Sequence, residues 1–142
     1  MPNDMDEFSA GVLADMRAHD GTVTTGPLAG HPILVMTSTG AKSGQPRASL
    51  LTYHRDGEDY IVAGSAGGST KDPAWLHNLD ADPSVQVEVD TETVPGTATV
   101  VRDGAERDRL WTDHVAALPW FADYPRQTGR RIPMVRLTLQ PA

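Results

Sequence analysis

Three segments of this chain gather side chains able to hold an anion, wall a flat ring or give up a proton. The first is Thr37-Ser38-Thr39-Gly40-Ala41-Lys42-Ser43-Gly44-Gln45-Pro46-Arg47, where one turn presents a lysine, an arginine, hydroxyls and backbone amides. Cationic side chains and free N–H groups converging on one bend can grip an anion. The chain has only two lysines, Lys42 and Lys71, and both fall in Gly/Ser-rich segments, away from the helix faces where solvating lysines normally scatter. An ordinary solvated hairpin turn has the same composition, so the residues alone leave both readings open. A P-loop is excluded. Its lysine follows a glycine directly, with another glycine five places before that, and here those places hold Ala41 and Met36.

The second segment, Ser65-Ala66-Gly67-Gly68-Ser69-Thr70, runs into a helix start at Asp72-Pro73. Glycines let backbone approach a ligand closely and a helix N-terminus favours negative charge, although a plain connector would read the same. Ala63-Gly64-Ser65-Ala66-Gly67 approximates a hydrolase nucleophile elbow, with Asp113-His114 downstream. The first glycine of that motif is missing and the chain is too short for the parallel sheet that strains the elbow, which argues against hydrolysis. The third segment, Trp120-Phe121-Ala122-Asp123-Tyr124-Pro125-Arg126-Gln127-Thr128-Gly129-Arg130-Arg131-Ile132-Pro133, joins aromatic residues to three arginines. It could lie over a bound ring, with Tyr124 donating a proton or a hydrogen bond; a hydrophobic plug with a solvated arginine rim is the alternative. Trp75, just after the glycine segment, could wall a flat ring system, whereas Trp111 reads as core. The histidines, His19, His31, His54, His77 and His114, show no metal-ligand spacing.

The elements that must position these segments follow from periodicity. Phe8, Val12, Leu13 and Met16 predict a short amphipathic helix over 5–18, stopped near His19-Asp20-Gly21. Residues 33–39 form an apolar, β-rich first strand, and Arg47 through His54 alternates well enough to pair back as the second arm of a hairpin. A turn at 55–58 and a strand at 59–64 come next. Asp72 reads as the N-cap and Pro73 as the first residue of a helix bearing Trp75, Leu76 and Leu79, which ends before Asp82-Pro83 because a residue preceding proline is pushed out of the α region. Val85 to Val89 alternates strictly, and 93–101 adds a strand in which Pro95-Gly96 suggests an edge or a bulge. A helix from Asp103 to Leu118, a loop over 119–130 and a strand from Met134 to Leu139 complete the order. The pattern is mainly β with flanking helices (α+β): an antiparallel barrel with helices packed outside.

Bulk properties narrow the chemistry. A chain of 142 residues with 39% hydrophobic side chains suits one domain over 1–142, with an N-terminal helix and loop over 1–30 and a barrel over 31–142. Lys plus Arg total 12 against 19 Asp plus Glu, and the formal charge of −7 makes nucleic acid and anionic lipid poor default partners. With no cysteine, disulfides, thiol nucleophiles and iron–sulfur clusters drop out, so chemistry must come from oxygen, nitrogen or a borrowed cofactor. Asp4, Asp6 and Glu7 stand where an export signal would need basic residues, and no apolar run approaches the ~18 residues of a membrane span. A cytoplasmic protein is expected.

Taken together, the three segments resemble the deazaflavin-dependent nitroreductase family from about residue 33 to the C-terminus. Thr39-Gly40-Ala41-Lys42-Ser43-Gly44 with Arg47 is similar to that family's phosphate-binding turn. Gly67-Gly68 followed by Asp72-Pro73-Ala74-Trp75 and His77-Asn78-Leu79 is similar to its second signature, and Tyr124, Thr128 and Arg130-Arg131-Ile132-Pro133 to its C-terminal one. The resemblance implies a split β-barrel, FMN-binding-like, holding coenzyme F420 and passing its hydride to a quinone, nitroaromatic or activated enone or lactone. Thr39, Lys42, Ser43, Arg47, Ser65, Gly67, Gly68, Trp75 and Asn78 would contact the cofactor, with Lys42 and Arg47 at its phosphate or oligoglutamate end and Ser65 near the ring. Trp120, Phe121, Tyr124 and Thr128 would face the acceptor, and Tyr124 and Ser65 would be catalytic. The family often has tyrosine where Phe121 and Leu76 stand and proline where Thr70 stands. The missing hydroxyl at Phe121 puts the nitro reduction of particular members in question and leaves cofactor binding largely untouched.

The assignment is physically coherent, because a deazaflavin brings its own hydride-bearing carbon and needs neither metal nor thiol. Two other readings use the same residues. An FMN-binding barrel would need the same phosphate turn and stacking aromatics, and a non-catalytic protein could sequester F420 or a hydrophobic ligand. A homodimer is open as a mode of assembly, as related barrels often pair.

Overall fold

A computed structural model of the chain describes residues 7–19, 22–24, 29–64, 73–89, 92–123 and 131–140. Its centre is one antiparallel sheet of seven strands: β1 (Ile33–Thr39), β2 (Pro46–Thr52), β3 (His54–Asp56), β4 (Asp59–Ala63), β5 (Ser84–Val89), β6 (Glu92–Val101) and β7 (Met134–Leu139). They lie in the order β2-β1-β5-β6-β7-β4-β3. β2 and β3 occupy opposite edges of the sheet although Tyr53 alone separates them in the chain. One extended stretch therefore leaves one edge and arrives at the other, which is possible only if the sheet curls round on itself. The result is a split β-barrel. Tyr53 marks the split, its N–H donating to the Pro32 carbonyl at 3.3 Å before the chain changes partner from β1 to β4.

Both faces of β1 and β4 are covered, so their apolar runs Ile33–Met36 and Tyr60–Ala63 do not alternate with polar residues. Leu34, Met36, Tyr60 and Val62 point inward with Val85, Val87, Val135 and Leu137 to fill the barrel. Leu76 and Leu79 of helix α2 (Ala74–Ala81) join that cluster. Ile33 and Val35 face outward against Val12 and Met16 of helix α1 (Glu7–Ala18), which Arg17 also ties to Glu88 of β5 through a two-pronged contact at 2.9 and 2.6 Å. Ile61, Ala63 and Met134 face outward against Leu110 and Leu118, in and at the end of helix α3 (Gly104–Ala117). Each fully buried aliphatic side chain of this kind stabilises the fold by about 1.5–3 kcal/mol.

The expected class, an antiparallel split barrel with flanking helices, is the one observed, but several details differ. α2 does not pack outside: Leu76, Asn78 and Leu79 are all buried and the helix closes the inner side of the sheet. The predicted arm 47–54 breaks at Tyr53, and His54 opens β3 instead. Periodicity cannot register this, since a strand that changes neighbours keeps its alternation. Pro95-Gly96 marks neither an edge nor a bulge, because β6 lies between β5 and β7 in unbroken register. The Pro95 carbonyl accepts from Gln140 just past the end of β7, so the reciprocal N–H that proline lacks falls at the end of that ladder and not within it. Gly96 answers crowding, as a Cβ there would stand 2.9 Å from the Thr138 oxygen. Pro73, not Asp72, takes the N-cap position of α2, and its apolar ring offers no oxygen to cap the helix. The loop expected over 119–130 begins with a 3₁₀ turn, Pro119–Asp123.

Candidate cofactor site

The bend between β1 and β2 has a fixed shape for local reasons. Gly40 N–H donates to the Gln45 carbonyl at 2.8 Å and Gly44 N–H to the Gly40 carbonyl at 2.9 Å. Gly44 sits at φ +70, a left-handed conformation that glycine adopts without strain. Gly40 is required by space, since a Cβ would fall 2.6 Å from Ser43 Oγ and 3.3 Å from the Gln45 carbonyl. Ser43 Oγ accepts from Gln45 N–H at 3.1 Å and from Arg47 Nη2 at 3.4 Å, which folds the guanidinium back over the turn.

α2 faces this bend. Asn78 Oδ1 accepts from Ala41 N–H at 3.0 Å and Nδ2 donates to Ser38 Oγ at 3.4 Å, bridging helix and hairpin. Between them lies a cavity of about 520 Å³, whose walls include Lys42, Ser43, Arg47, Trp75, His77 and Asn78. No carboxylate lines it among the described residues, so a chain of net charge −7 keeps this hollow locally positive. Two cations, a hydroxyl and an indole around a hollow of this size fit a ligand with an anionic tail and a flat ring.

Of the residues singled out from sequence, Lys42, Ser43, Arg47, Trp75 and Asn78 meet at this cavity. Thr39 does not. It borders a smaller hollow of about 250 Å³ with Thr37, Pro46 and Gln86. Phe121 is buried in the outer cluster beneath α3, and Trp120 lies beside it with its ring 4.7 Å from His31. Ser65, Gly67, Gly68, Tyr124 and Thr128 lie outside the described residues, as does Lys71. Sequence reading gave no site role to His77, although it stands in the second signature, and missed Ser49; both also line the cavity. A signal for Ser49 was available, because residues two apart on a strand share a face and Arg47 is two before it. His77 is brought in by the packing of α2.

A second cluster forms where no motif announced it. His54 of β3 and His114 of α3 are both buried, with their Nδ1 atoms 2.8 Å apart. One imidazole must donate and the other accept. Neither Nε2 has a hydrogen-bond partner among the described residues. Phe121 packs edge-on against His114 at 4.5 Å between ring centres. Burial, aided by the neighbouring His54, pushes His114 down to about 3, and burial also lowers His54 against the pull of Asp113 and Asp56. Both rings are neutral at physiological pH. Asp56 itself is held at about 2 by hydrogen bonds from Arg109 and Arg136, which link β3 to α3 and β7.

A curled antiparallel barrel with a cationic, ring-walled hollow at its first hairpin defines a split-barrel cofactor protein. Comparison with known proteins makes the class specific. The family described as F420H(2)-dependent quinone reductase matches residues 12–139, and the chain belongs to that family of oxidoreductases. An F420H(2)-dependent quinone reductase of Mycobacterium tuberculosis (strain H37Rv) is 39% identical over 111 residues, covering 75% of this chain and 73% of that protein. A solved F420-H2 dependent reductase (FDR-A) is 36% identical with a TM-score of 0.68, over 75% of this chain and 93% of that one. Another solved structure, described as a domain-swapped dimer, is 32% identical with a TM-score of 0.69, over 90% of this chain and 92% of that one. Of the two cofactors the residues left open, F420 is therefore the one this family uses.

Proposed function

We propose that this chain oxidises reduced F420 and delivers the hydride to a quinone. When bound, the deazaflavin supplies two electrons as hydride from its own ring carbon. The protein's part is placement. Lys42 and Arg47 would hold the anionic tail, Ser43 would help fix the Arg47 fork, and Trp75 would wall the ring. The observation that carries this reading is that both cations of the first hairpin and the Trp75 indole share one cavity bordered by no described carboxylate. Ser65, Gly67 and Gly68 would complete the ring end of the site. Tyr124, with Trp120 and Thr128, would border the acceptor, and Tyr124 would give the proton that turns a quinone plus hydride into a hydroquinone; Phe121, expected beside them, is instead buried beneath α3.

No helix among the described residues is long and apolar enough to cross a membrane, in keeping with a cytoplasmic enzyme. A homodimer is the assembly we favour, given the swapped dimer formed by a relative. The whole chain, 1–142, would act as one domain. Titration of F420 fluorescence, followed by oxidation of F420H2 with and without a naphthoquinone, tests the proposal. Saturable binding and quinone-dependent oxidation are expected; binding with no turnover of any quinone would leave a sequestering protein instead.

A further inference from the structure

We infer that Asn78 is a positioning residue: its carboxamide sets the gap between α2 and the first hairpin, and so holds Lys42 at the cavity without needing to touch the ligand itself. The inference deepens the proposed function and rests on it for what Lys42 binds. Both ends of the amide are engaged within the protein. Oδ1 takes the Ala41 N–H, one residue before Lys42, at 3.0 Å, and Nδ2 reaches Ser38 Oγ at 3.4 Å on the strand that leads into the bend. Asn78 and Ser38 are 9% and 2% exposed, so the bridge is sheltered from solvent on the helix side. The hairpin's own hydrogen bonds, Gly40 to Gln45 and Gly44 to Gly40, fix the shape of the bend but do not say where it sits. Among the described residues, the side-chain hydrogen bonds from α2 to this hairpin are those of Asn78.

An amide suits the place because it must accept from a backbone N–H and donate to a hydroxyl at once. The Asn78 carbonyl also receives the Asp82 N–H that ends the helix, so the residue is fixed at its backbone while it fixes the hairpin. Trp75 lies one turn earlier on the same helix face. A single side chain thus references the cation of one element to the ring wall of another. Ala41 is exposed, so water can satisfy its N–H once the bridge is cut. The loss should appear as a displaced turn more than as an unfolded protein.

Two measurements on the full chain test this. In Asn78→Ala without ligand, hydrogen exchange at the Ala41–Gly44 amides should quicken while the β1–β2 ladder stays protected; unchanged exchange at Ala41 overturns the inference without bearing on F420. In F420 titrations, Asn78→Ala should weaken binding about tenfold, and Ser38→Ala, which removes only the Nδ2 partner, by less. If Asn78 acts through Lys42, adding Asn78→Ala to Lys42→Ala should cost less than about twofold more. Multiplicative losses in the double variant would make Asn78 an independent contact and refute the assignment. Failure of the unmodified chain to bind F420 would count against the proposed function and leave the exchange result to decide the latch.

Discussion

Two places in this barrel bring nitrogen-bearing side chains together, and they are built on opposite principles. At the first hairpin, Lys42, Arg47 and Asn78 surround a hollow of about 520 Å³ that opens to solvent. On the far flank, His54 and His114 meet at 2.8 Å under α3 and Phe121. The hairpin cations stand on the wall of an open hollow that water can reach. The imidazoles are stripped of water and are held neutral, joined Nδ1 to Nδ1 with both Nε2 atoms unpartnered among the described residues. A group's surroundings, more than its type, decide whether it can serve a ligand or only the fold.

Four experiments sharpen or break that contrast. The largest effect should come from placing a fixed charge where the pair now sits. His114→Lys buries an unpaired ammonium and should cost on the order of 3–5 kcal/mol, read as a lowered urea midpoint. An unchanged midpoint would mean the pocket under α3 is wet. On the open side the expected pattern reverses. Lys42→Ala with Arg47→Ala should weaken F420 binding about a hundredfold, as two charge-assisted contacts of about 1.5 kcal/mol each are lost. Stability should stay within about 0.5 kcal/mol, as for ordinary surface changes. A large fall in thermal midpoint with unchanged affinity would assign those cations to the fold.

The third test is pH. An unfolded histidine titrates near 6.5, whereas folded His114 does so at about 3. Between those values the unfolded chain binds the proton and the folded one does not, so stability rises with pH and is lost on acidification. The slope is at most about 1.4 kcal/mol per pH unit from this residue, with His54 adding in the same direction. Urea titrations from pH 7 to 5 should show the slope in the native chain and a flatter line in His54→Phe with His114→Phe. Asp56, held at about 2 by Arg109 and Arg136, contributes in a lower window, its share being lost as pH falls from its unfolded value near 4 to about 2. An equal slope in both proteins would show that the pair is not the acid-sensitive element. The smallest effect is at the bend. Gly40→Ala forces a Cβ toward Ser43 Oγ and should cost about 1 kcal/mol, with a matching loss of F420 affinity. Neutrality in both would mean that Ser43 swings aside freely.

Much of this was readable before any coordinates. β1 and β7 lie where the apolar runs put them, at Ile33–Thr39 and Met134–Leu139, because a strand or helix announces itself through a period that repeats over a few residues. The cationic bend was legible for the same reason, its glycines, lysine and arginine lying within eight residues of one another. α2 was placed correctly in the chain but on the wrong side of the sheet. Its Leu76, Asn78 and Leu79 look the same from sequence whether they face a barrel's interior or its flank.

Sequence by itself thus determined the local pieces: the cationic hairpin, the helix carrying Trp75, the all-antiparallel pattern, and a family resemblance that the match to the F420H(2)-dependent quinone reductase family bore out. Tertiary structure alone decided which pieces meet. His54 finds His114 across 60 positions and Ala41 finds Asn78 across 37, and neither pairing leaves a mark on the periodicity of its own segment. Local order follows from backbone sterics and alternating burial over a few residues. Contacts at long separation exist only after the sheet has curled and closed, when the loss of water around each group fixes its charge and its use.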